Sequence, residues 1–522
     1  MTGEDFFDRE RELEILESGK NIALIGPRKS GKTSIIFEFV RRHPEKRIAY
    51  VYVLFQEDIN SLISRMARSV LMVILRVRDE VPALDDLISA AMDKVPEISA
   101  LLYNLMRHIR KQRHEEALEA LANVCEKTGT VIAIDEFQNV FQLEKFVDIL
   151  RMILLKYRKV QWIITGSSIG IMKELLMEPS SPLFGHFEVV WVGAFDMPTA
   201  SEFLEFLLRR TQFSMPPDVK QYILAISGGF PFYISIIVSK SVEKAKTKRK
   251  GKIVPWSDVM ETLEEELCHP EGTLYRHFIE TLEKGMKRRN VGKYIDVLYW
   301  IAKGASDLTT ISKNTGFSPQ HCLKILRFLE KSMLIERVGD SYFLKDPLMD
   351  IWLKRIYELM SREYSPVRDF TQIKLMLKEY LDELRKQISI GAEARIRELL
   401  RAFDGRKKIP IAGEIVRTPT FQIVSRITWN GNEIDVLAIG SEVWVLEVKT
   451  GSVKYEDLKT FARKIDDAIK SGVIKRVDRR ILACLGDIKE NLVTEADKLG
   501  IKIWRKEEIN KAMRIFGYYP FL

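Results

Sequence analysis

The sequence predicts an α/β fold at the N-terminal end of a chain with several domains. Its 522 residues exceed the size at which one hydrophobic core stops growing, so we expect two to four domains. From Asn21 to about Ala194, short apolar runs alternate with helical patterns; the runs are NIALIG, RIAYVYVLF, TVIAID, QWIITG and VVWVGA. Near-continuous apolar strands separated by helices are typical of a parallel sheet covered on both faces.

The composition sets limits on the class of protein. Hydrophobic residues make up 46% and charged residues 30%, as in folded soluble proteins. The net charge of +9 and pI of about 9.0 fit a polyanionic partner without identifying it. The N-terminus is acidic, unlike a secretory signal, and the apolar runs are too short to cross a bilayer, so we expect a cytoplasmic protein with no membrane partner. Neither a disulfide framework nor a zinc ribbon is predicted by the four separated cysteines, Cys125, Cys268, Cys322 and Cys484.

A glycine-rich loop directly follows the first strand. The segment GPRKSGKT matches G-x-x-x-x-G-K-[ST] and opens the helix TSIIFEFV. Backbone amides of such a P-loop curl around phosphates, and the helix N-terminus favours negative charge. We expect Lys32 to reach the β- and γ-phosphates and Thr33 to bind Mg²⁺. The predicted nucleotide-binding residues of the loop are Gly26, Pro27, Arg28, Lys29, Ser30, Gly31, Lys32, Thr33 and Ser34.

Two acids end a later apolar strand, VIAIDEF. We expect Asp135 to hold Mg²⁺ through water and Glu136 to polarise the water that attacks the γ-phosphate. The alternative is a strand followed by a solvated acidic turn, which the presence of the P-loop disfavours. At the end of the next strand, Thr165-Gly166-Ser167 is either a γ-phosphate sensor or a simple turn.

Five segments together resemble the archaeal ATPase branch of the STAND P-loop NTPases, relatives of the AAA+ class. They are FFDREREL, GPRKSGKT, VIAIDEF, TGSS and GGFPFYI, and the resemblance covers roughly residues 5 to 350. In that family an N-terminal Gly-Arg-Glu-x-Glu element and a later Gly-x-Pro element close over the nucleotide. The residues that the resemblance implies for this role are Arg9, Glu10, Glu12, Gly229 and Pro231.

The chain departs from the family pattern at two places. Asp8 replaces the glycine before the N-terminal arginine, and TGSS lacks the arginine of other STAND branches. The resemblance, and the absence of an N-K-x-D motif, favour ATP over GTP as the nucleotide, with Mg²⁺ as cofactor.

A helical lid is predicted after the sheet. Pro198 opens a run of helical segments that extends to about Ser241. Arg209 and Arg210 are available there as an arginine finger, but basic residues on a solvated face are the simpler explanation. The run KAKTKRKGK is either a solvated connector or a nucleic-acid contact.

Residues 293–347 have the pattern of a winged helix, with three short helices before a hairpin. Ser318 is a natural N-cap with Pro319 at the first helical position, and Gly339-Asp340 suits a tight turn. The third helix has an apolar face of Cys322, Ile325, Leu326, Leu329 and Met333. Its opposite face carries a mostly basic stripe of Gln320, Lys324, Arg327 and Lys331. This stripe, with Arg337 in the wing, either contacts DNA or is merely solvated while the domain transmits the nucleotide state.

The C-terminal region, from a helical segment near Phe370, contains the strand-like runs FQIVSRITW, EIDVLAIG and EVWVLEVK. Asn430-Gly431 is a strong hairpin signal between the first two. Glu447 and Lys449 lie two apart on one strand and share a face, which Asp435 can meet from the adjacent strand. Charges among apolar neighbours need compensation, and Mg²⁺ is one form of it.

This spacing resembles the PD-(D/E)xK nuclease superfamily over about residues 370 to 485. The resemblance implies Mg²⁺ held by Asp435, Glu447 and the helical Glu393, with Lys449 stabilising charge on the scissile phosphate. Ile434 replaces the usual proline before the first acid. The alternatives are a sheet with a surface ion pair and a decayed nuclease that only binds DNA.

The expected architecture is therefore a P-loop NTPase core with helical lid, a winged-helix domain and an α/β restriction-endonuclease-like domain. The predicted divisions are 1–196 for the ATPase core, 197–290 for lid and connector, 291–350 for the winged helix, 351–369 for a linker and 370–522 for the nuclease-like domain. The hypothesis is an ATPase coupled to DNA binding and Mg²⁺-dependent cleavage, with DNA as partner and a homo-oligomer among the expected assemblies. The alternatives are a nucleotide switch that assembles with proteins and a DNA translocase.

Overall fold

The computed structural model describes residues 2–77, 82–248, 251–284, 291–305, 307–338, 341–354, 375, 377–382, 391–429, 431–516, 518 and 520–521. The chain forms two compact units. Unit 1 contains Met1–Phe195 with Phe230–Phe232, and unit 2 contains Asp196–Gly229 with Tyr233–Leu522. Unit 1 thus ends one residue before the division that we predicted after residue 196.

Unit 1 is built on a five-stranded parallel sheet, as predicted. Its strands are β1 (Ile22–Ile25), β2 (Arg47–Tyr52), β3 (Thr130–Asp135), β4 (Trp162–Gly166) and β5 (Glu188–Trp191). They are ordered β2-β3-β4-β1-β5 and every pairing is parallel. The order places β4 between β1 and β3. Because the carboxyl ends of parallel strands meet at one edge, the segments that follow these three strands converge there.

Eight helices surround this sheet among the described residues of unit 1. They are α1 (Glu10–Glu17), α2 (Lys32–Arg42), α3 (Ile59–Leu75), α4 (Leu84–Lys94), α5 (Ser99–Arg110), α6 (His114–Thr128), α7 (Glu144–Lys156) and α8 (Ile169–Met177). One face of the sheet packs on α2, where Ile36 and Phe39 meet the fully buried Leu24 and Ile163. Burial of these apolar side chains fixes the helix against the strand that precedes it.

Unit 2 begins with five helices, which include the predicted lid. They are α9 (Met197–Thr211), α10 (Pro217–Ser227), α11 (Pro231–Lys248), α12 (Trp256–Cys268) and α13 (Thr273–Lys284). The carboxylate of Asp196 caps α9 by accepting a hydrogen bond from the Thr199 amide, with Pro198 in the first turn.

Three helices and a hairpin follow, in the predicted order. The elements are α14 (Val291–Ala302), α15 (Leu308–Thr315), α16 (Pro319–Lys331), β6 (Ile335–Val338) and β7 (Ser341–Leu344). Ser318 caps α16, and its side chain accepts from the His321 amide. The turn at Gly339-Asp340 lies outside the described residues. A further helix, α17 (Pro347–Trp352), crosses the division that we predicted at residue 350, and its Trp352 indole donates to the Leu267 carbonyl oxygen at 3.1 Å.

The C-terminal part of unit 2 is a second α/β structure. It contains α18 (Ala392–Arg401), β8 (Lys408–Ile411), β9 (Glu414–Arg417), β10 (Phe421–Trp429), β11 (Asn432–Gly440), β12 (Val443–Lys449), α19 (Tyr455–Lys470), β13 (Arg479–Cys484), α20 (Glu490–Lys498), β14 (Ile501–Arg505) and α21 (Lys506–Ile515). The main sheet has the order β10-β11-β12-β13-β14, antiparallel among the first three strands and parallel among the last three. Of the predicted turn, Gly431 is described and has a φ of 76°, which suits glycine.

Helices cover both faces of this sheet. On one face, Ile396 of α18 and Ile509 of α21 pack with Trp444 and Leu446. On the other face, apolar residues of α19 and α20 pack with Val445 and other strand residues. Alternate residues of β12 therefore face opposite helices, which directs Glu447 and Lys449 toward α19. No helix within the described residues is both long enough and apolar enough to span a bilayer.

A buried carboxylate ties the end of α2 to the N-terminal segment of unit 1. The side chain of Glu38 is 1% exposed and accepts hydrogen bonds from Arg41 at 2.7 and 2.9 Å, from Arg42 at 2.8 Å and from the Gly3 amide at 2.8 Å. The hydrogen bonds from Arg41, with those from Arg42 and Gly3, lower the pKa of Glu38 to about 2.

We expect Glu38→Gln to destabilise unit 1 by about 1–2 kcal/mol near pH 7, because the two arginines lose their buried anion while remaining partly solvated. The folded pKa lies below the ordinary value of 4.5, so this stabilisation is complete above about pH 4.5 and is lost as the pH falls toward 2. Thermal melting should show a lower melting temperature at pH 7, with a gap to the parent protein that closes in acid. Glu14→Gln, an exposed change on α1, is the control and should not melt lower at pH 7.

Candidate functional site

The P-loop lies between β1 and α2 at the carboxyl edge of the parallel sheet. Gly26 has no room for a side chain, since a Cβ there would lie 1.8 Å from the Val192 carbonyl oxygen. Gly31 has a φ of 96° and directly precedes α2. The amino end of α2 therefore directly follows the loop. Backbone amides at such a helix end bind phosphate.

Lys32 is the buried cation of this loop. It is 5% exposed, and its Nζ donates to the carbonyl oxygens of Gly26 at 2.9 Å and Pro27 at 2.7 Å. Burial lowers the pKa of Lys32 to about 8, while the charges of Glu136 and Asp135 oppose that shift. An ammonium held this way favours an anionic ligand, because phosphate oxygens compensate a charge that burial makes costly.

Asp135 joins the P-loop to three strands. It is 3% exposed and its Oδ2 accepts from the Thr33 hydroxyl at 2.8 Å and the Tyr50 hydroxyl at 2.7 Å. Its Oδ1 accepts from the Thr165 hydroxyl. The predicted pair of Thr33 and Asp135 is therefore in direct contact, and a hydroxyl beside a carboxylate is the oxygen donor set that suits Mg²⁺.

Glu136 lies one residue beyond β3 with a φ of 56°, in the left-handed region. Its Oε2 accepts from the Ser167 hydroxyl at 2.8 Å and from the Gln138 side-chain amide. Of the predicted sensor hydroxyls, Thr165 thus contacts Asp135, and Ser167 contacts Glu136.

The N-terminal element predicted to close over the nucleotide is anchored near the end of β5. The Arg9 guanidinium donates to the Gly193 carbonyl oxygen, pairs with Glu12 at 3.1 Å and lies 4.5 Å from the centre of the Phe195 ring. Glu10 instead forms a two-pronged ion pair with Arg42 of α2. Arg9 and Glu12 therefore act together, whereas Glu10 fastens α1 to α2.

The Gly-x-Pro element lies where the chain leaves unit 1 for the last time. Gly229 has a φ of 75°, and Pro231 starts α11. The next residue, Phe232, belongs to unit 1, and its ring centre lies 4.2 Å from the Nζ of Lys29 in the P-loop. This contact places Phe232 of the GGFPFYI segment next to the P-loop.

In unit 2, acidic side chains gather where α18 begins and β11 starts. Carboxylate oxygens of Glu393, Glu433 and Asp435 lie within 4.8 Å of one another, close enough to hold one metal ion. Between the pairs Ser425–Leu437 and Ile427–Ile434, β11 advances three residues while β10 advances two. Asp435 lies in this bulge, and bulges redirect side chains.

Glu447 lies on β12 beside this group but outside the 4.8 Å cluster. The register pairs Val436 with Leu446, and Asp435 and Glu447 are the residues directly beyond this pair on the two neighbouring strands. Asp435 Oδ2 accepts a hydrogen bond from the Val448 amide at 2.7 Å. Glu447 is 8% exposed, its Oε1 accepts from Lys464 at 2.8 Å, and within the described chain its Oε2 has no hydrogen-bond partner. Burial is the main cause of a raised pKa of Glu447, and the charge of Asp435 adds to it.

Lys449 shares the face of Glu447 but pairs with Asp457 of α19 at 3.1 Å. The expected meeting of Lys449 with the two acids is therefore only partial. Asp457 is available to Lys449 because apolar residues of α19 pack on this face of the sheet.

On α16 the two predicted faces are separated, with one exception. Cys322, Ile325, Leu326 and Leu329 are buried. Met333 was assigned to the apolar face, but it lies beyond the end of the helix with a φ of 57° and is half-buried. On the opposite face, Gln320, Lys324 and Arg327 are exposed and Lys331 is half-buried.

Three residues of these sites, Tyr50, Gln138 and Glu433, were not among those predicted from the sequence. Gln138 stands two residues after Glu136, and Glu433 two before Asp435 on the same strand, so local spacing contained a signal for both. Tyr50 lies in β2, and only the strand pairing brings it to Asp135: β2 and β3 are neighbours that pair Tyr52 with Asp135.

The fold and the loop geometry define a P-loop nucleotide-binding domain. Residues 6–237 match a family model described as an ATPase domain predominantly from Archaea. The matched segment is similar to that family and has the fold and loop of an ATP-binding ATPase domain.

Two relatives from Methanocaldococcus jannaschii are similar to longer stretches of the chain. An uncharacterized protein is 24% identical over 360 residues, covering 64% of this chain and 71% of the relative. An uncharacterized ATP-binding protein is 24% identical over 310 residues, covering 56% and 82%. Among solved structures, the Walker-type ATPase of Pyrococcus abyssi is 21% identical with a TM-score of 0.50, covering 67% of this chain and 97% of its own, a likeness that shows the fold alone.

We expect Lys32→Ala to weaken ATP binding by about 100-fold, since a buried charge-assisted contact to phosphate is lost. The measurement is the dissociation constant of a fluorescent ATP analogue. Lys20→Ala is the matched control, because its ammonium is 68% exposed in the same unit and forms a surface pair with Glu188. Equal affinity of Lys32→Ala and Lys20→Ala would contradict the assignment of the loop.

Proposed function

We propose that the chain is a STAND-type ATPase whose nucleotide state controls DNA binding by residues 291–350 and Mg²⁺-dependent DNA cleavage by residues 370–522. The ATPase part has the support of the family match and the loop geometry. The single observation that carries the DNA-cleaving part is the buried Oε2 of Glu447, which has no hydrogen-bond partner in the part of the chain that the structure describes and follows Asp435 on the neighbouring strand.

In the ATPase domain, each step of ATP binding and hydrolysis has a residue of suitable chemistry. The P-loop amides and Lys32 bind the triphosphate, and Glu136 accepts the proton of the attacking water. Mg²⁺, when bound, neutralises charge on the phosphate oxygens, and Thr33 and Asp135 would hold it. Within unit 1, Arg9 is anchored on Gly193 near the end of β5 and Phe232 contacts Lys29 of the loop, which supports assignment to the STAND type.

The carboxylates of unit 2 fit a divalent cation for an electrostatic reason. A buried carboxylate oxygen without a hydrogen-bond donor costs free energy, and a cation removes that cost. Asp435 and Glu393 add oxygen ligands, and Glu433 is a third within the same cluster. Lys449 is positioned two residues beyond Glu447 on the same face, where its ammonium would bind a scissile phosphate after release from Asp457.

The order of elements also supports a nuclease. The acid-bearing α18 is followed by the β8–β9 hairpin, then by three antiparallel strands with acids on the second and third, a helix and a parallel strand. The acid on one strand, the E-x-K on the next and the upstream helical acid fit the pattern of the PD-(D/E)xK resemblance.

One observation favours the alternative of a nucleotide switch with an inactive C-terminal domain. Lys464 already neutralises Glu447, and Asp457 already neutralises Lys449. These two ion pairs on one face balance the buried charges without any metal ion. The two hypotheses differ in whether the parent protein cuts DNA.

The test of cleavage uses the full chain with supercoiled, linear and branched DNA, with Mg²⁺ or with EDTA, and with ATP or ADP. We expect Mg²⁺-dependent cleavage by the parent protein and a loss of at least 100-fold in Asp435→Asn and Lys449→Ala. Lys470→Ala, an exposed change at the end of α19, should keep full activity. No cleavage of any substrate by the parent protein favours the switch.

DNA binding by α16 has a separate test in salt dependence. Replacing both Lys324 and Arg327 by Gln removes two exposed cations from one helix face. We expect weaker binding at every sequence, and a slope of log affinity against log salt that is smaller by about 2. Lys293→Gln on α14 serves as the control for a simple reduction of net charge. An unchanged slope would mean that the basic stripe of α16 is solvated and does not contact DNA.

A further inference from the structure

We propose that Gln138 is a positioning residue for ATP hydrolysis, which acts by holding the carboxylate of Glu136. This inference rests on the proposed role of Glu136 as the group that accepts the proton of the attacking water. It adds a residue that neither the P-loop nor the acidic strand end contains.

Gln138 uses both ends of its amide at the site. Its Nε2 donates to Glu136 Oε2, and its Oε1 accepts from the Ser167 backbone amide at 3.1 Å. The Ser167 hydroxyl in turn donates to the same Glu136 Oε2 at 2.8 Å. The three residues thus close a ring of hydrogen bonds between the end of β3 and the end of β4.

The side chain of Gln138 is fixed by its surroundings. It is 6% exposed and lies in the 3₁₀ helix Phe137–Gln142, whose Phe137 and Val140 are fully buried. The adjacent Asn139 donates through its side-chain amide to the Val53 carbonyl oxygen at 2.9 Å. A buried amide with both ends bonded does not turn away without breaking several contacts at once.

This ring determines which oxygen of Glu136 does the chemistry. Both donors bind Oε2, so Oε1 is the oxygen available to the attacking water. In the reaction, the water oxygen forms a bond to the γ-phosphorus while the bond to the β,γ-bridging oxygen breaks. Glu136 takes the proton, and ADP and phosphate are the products. A carboxylate that rotates freely spends less time in the productive orientation, so kcat depends on the ring while ATP binding does not.

The test compares Gln138→Met with the parent protein, because methionine has nearly the same shape and donates no hydrogen bond. We expect kcat for ATP hydrolysis to fall about 10–100-fold and the dissociation constant of ATP to change by less than about twofold. Ser167→Ala, at a half-buried position, should lower kcat in the same way and serves as a second variant if the methionine variant does not fold. Ser167→Thr retains the hydroxyl and should recover most of the rate.

A double-mutant cycle decides whether Gln138 acts through Glu136. Once Glu136→Gln has removed the proton acceptor, Gln138→Met should cause no further loss of kcat. The inference would be overturned if the losses of kcat in the two single variants were additive in the double variant. A change in ATP affinity as large as the change in kcat would also overturn it. Either result would mean that Gln138 only has a packing role. An unchanged kcat in Gln138→Met beside a slow Glu136→Gln also overturns the inference, while the role of Glu136 stands. Full activity of Glu136→Gln would instead remove the proposed role of Glu136, and this inference with it.

Discussion

The buried carboxylate of Asp135 is the interaction on which the nucleotide site depends. A charge that is 3% exposed must be compensated, and here three hydroxyls do so, from Thr33, Tyr50 and Thr165. These donors come from α2, β2 and β4, so one carboxylate ties the P-loop to the sheet on both sides of β3. The Glu136–Gln138–Ser167 ring lies one residue further along the same strand edge, and its geometry depends on this anchor.

Unit 2 also contains a buried carboxylate, and its charge is compensated by an ion pair with a lysine. Glu447 is almost as buried as Asp135, but its compensation comes from Lys464, and one of its oxygens has no donor among the described residues. A partly compensated carboxylate next to Asp435 is less stable than a hydroxyl-saturated one, and this difference is what a cation would remove. The two units thus compensate a buried carboxylate in two ways: Asp135 is satisfied by protein hydroxyls, whereas Glu447 has an ion pair at one oxygen and no donor at the other among the described residues.

Much of the fold was predictable because its signals are local. The five parallel strands, the P-loop, the capped helix at Ser318 and the strands that bear Asp435 and Glu447 each follow from apolar runs or from a short motif. One expectation failed because a local pattern ran past the end of its element. Met333 continued the apolar period of α16 but lies beyond the helix.

By itself, the sequence determined the class of the ATPase domain, since a P-loop between strand and helix works through backbone amides whose positions follow from adjacent residues. Only the tertiary structure decided which side chains meet across the sheet. Tyr50 reaches Asp135, Gln138 reaches Ser167, and Lys449 turns to Asp457 rather than to Asp435. Strand order and helix packing bring these partners together from 8 to 85 positions away in the chain, and no short-range pattern encodes such pairings.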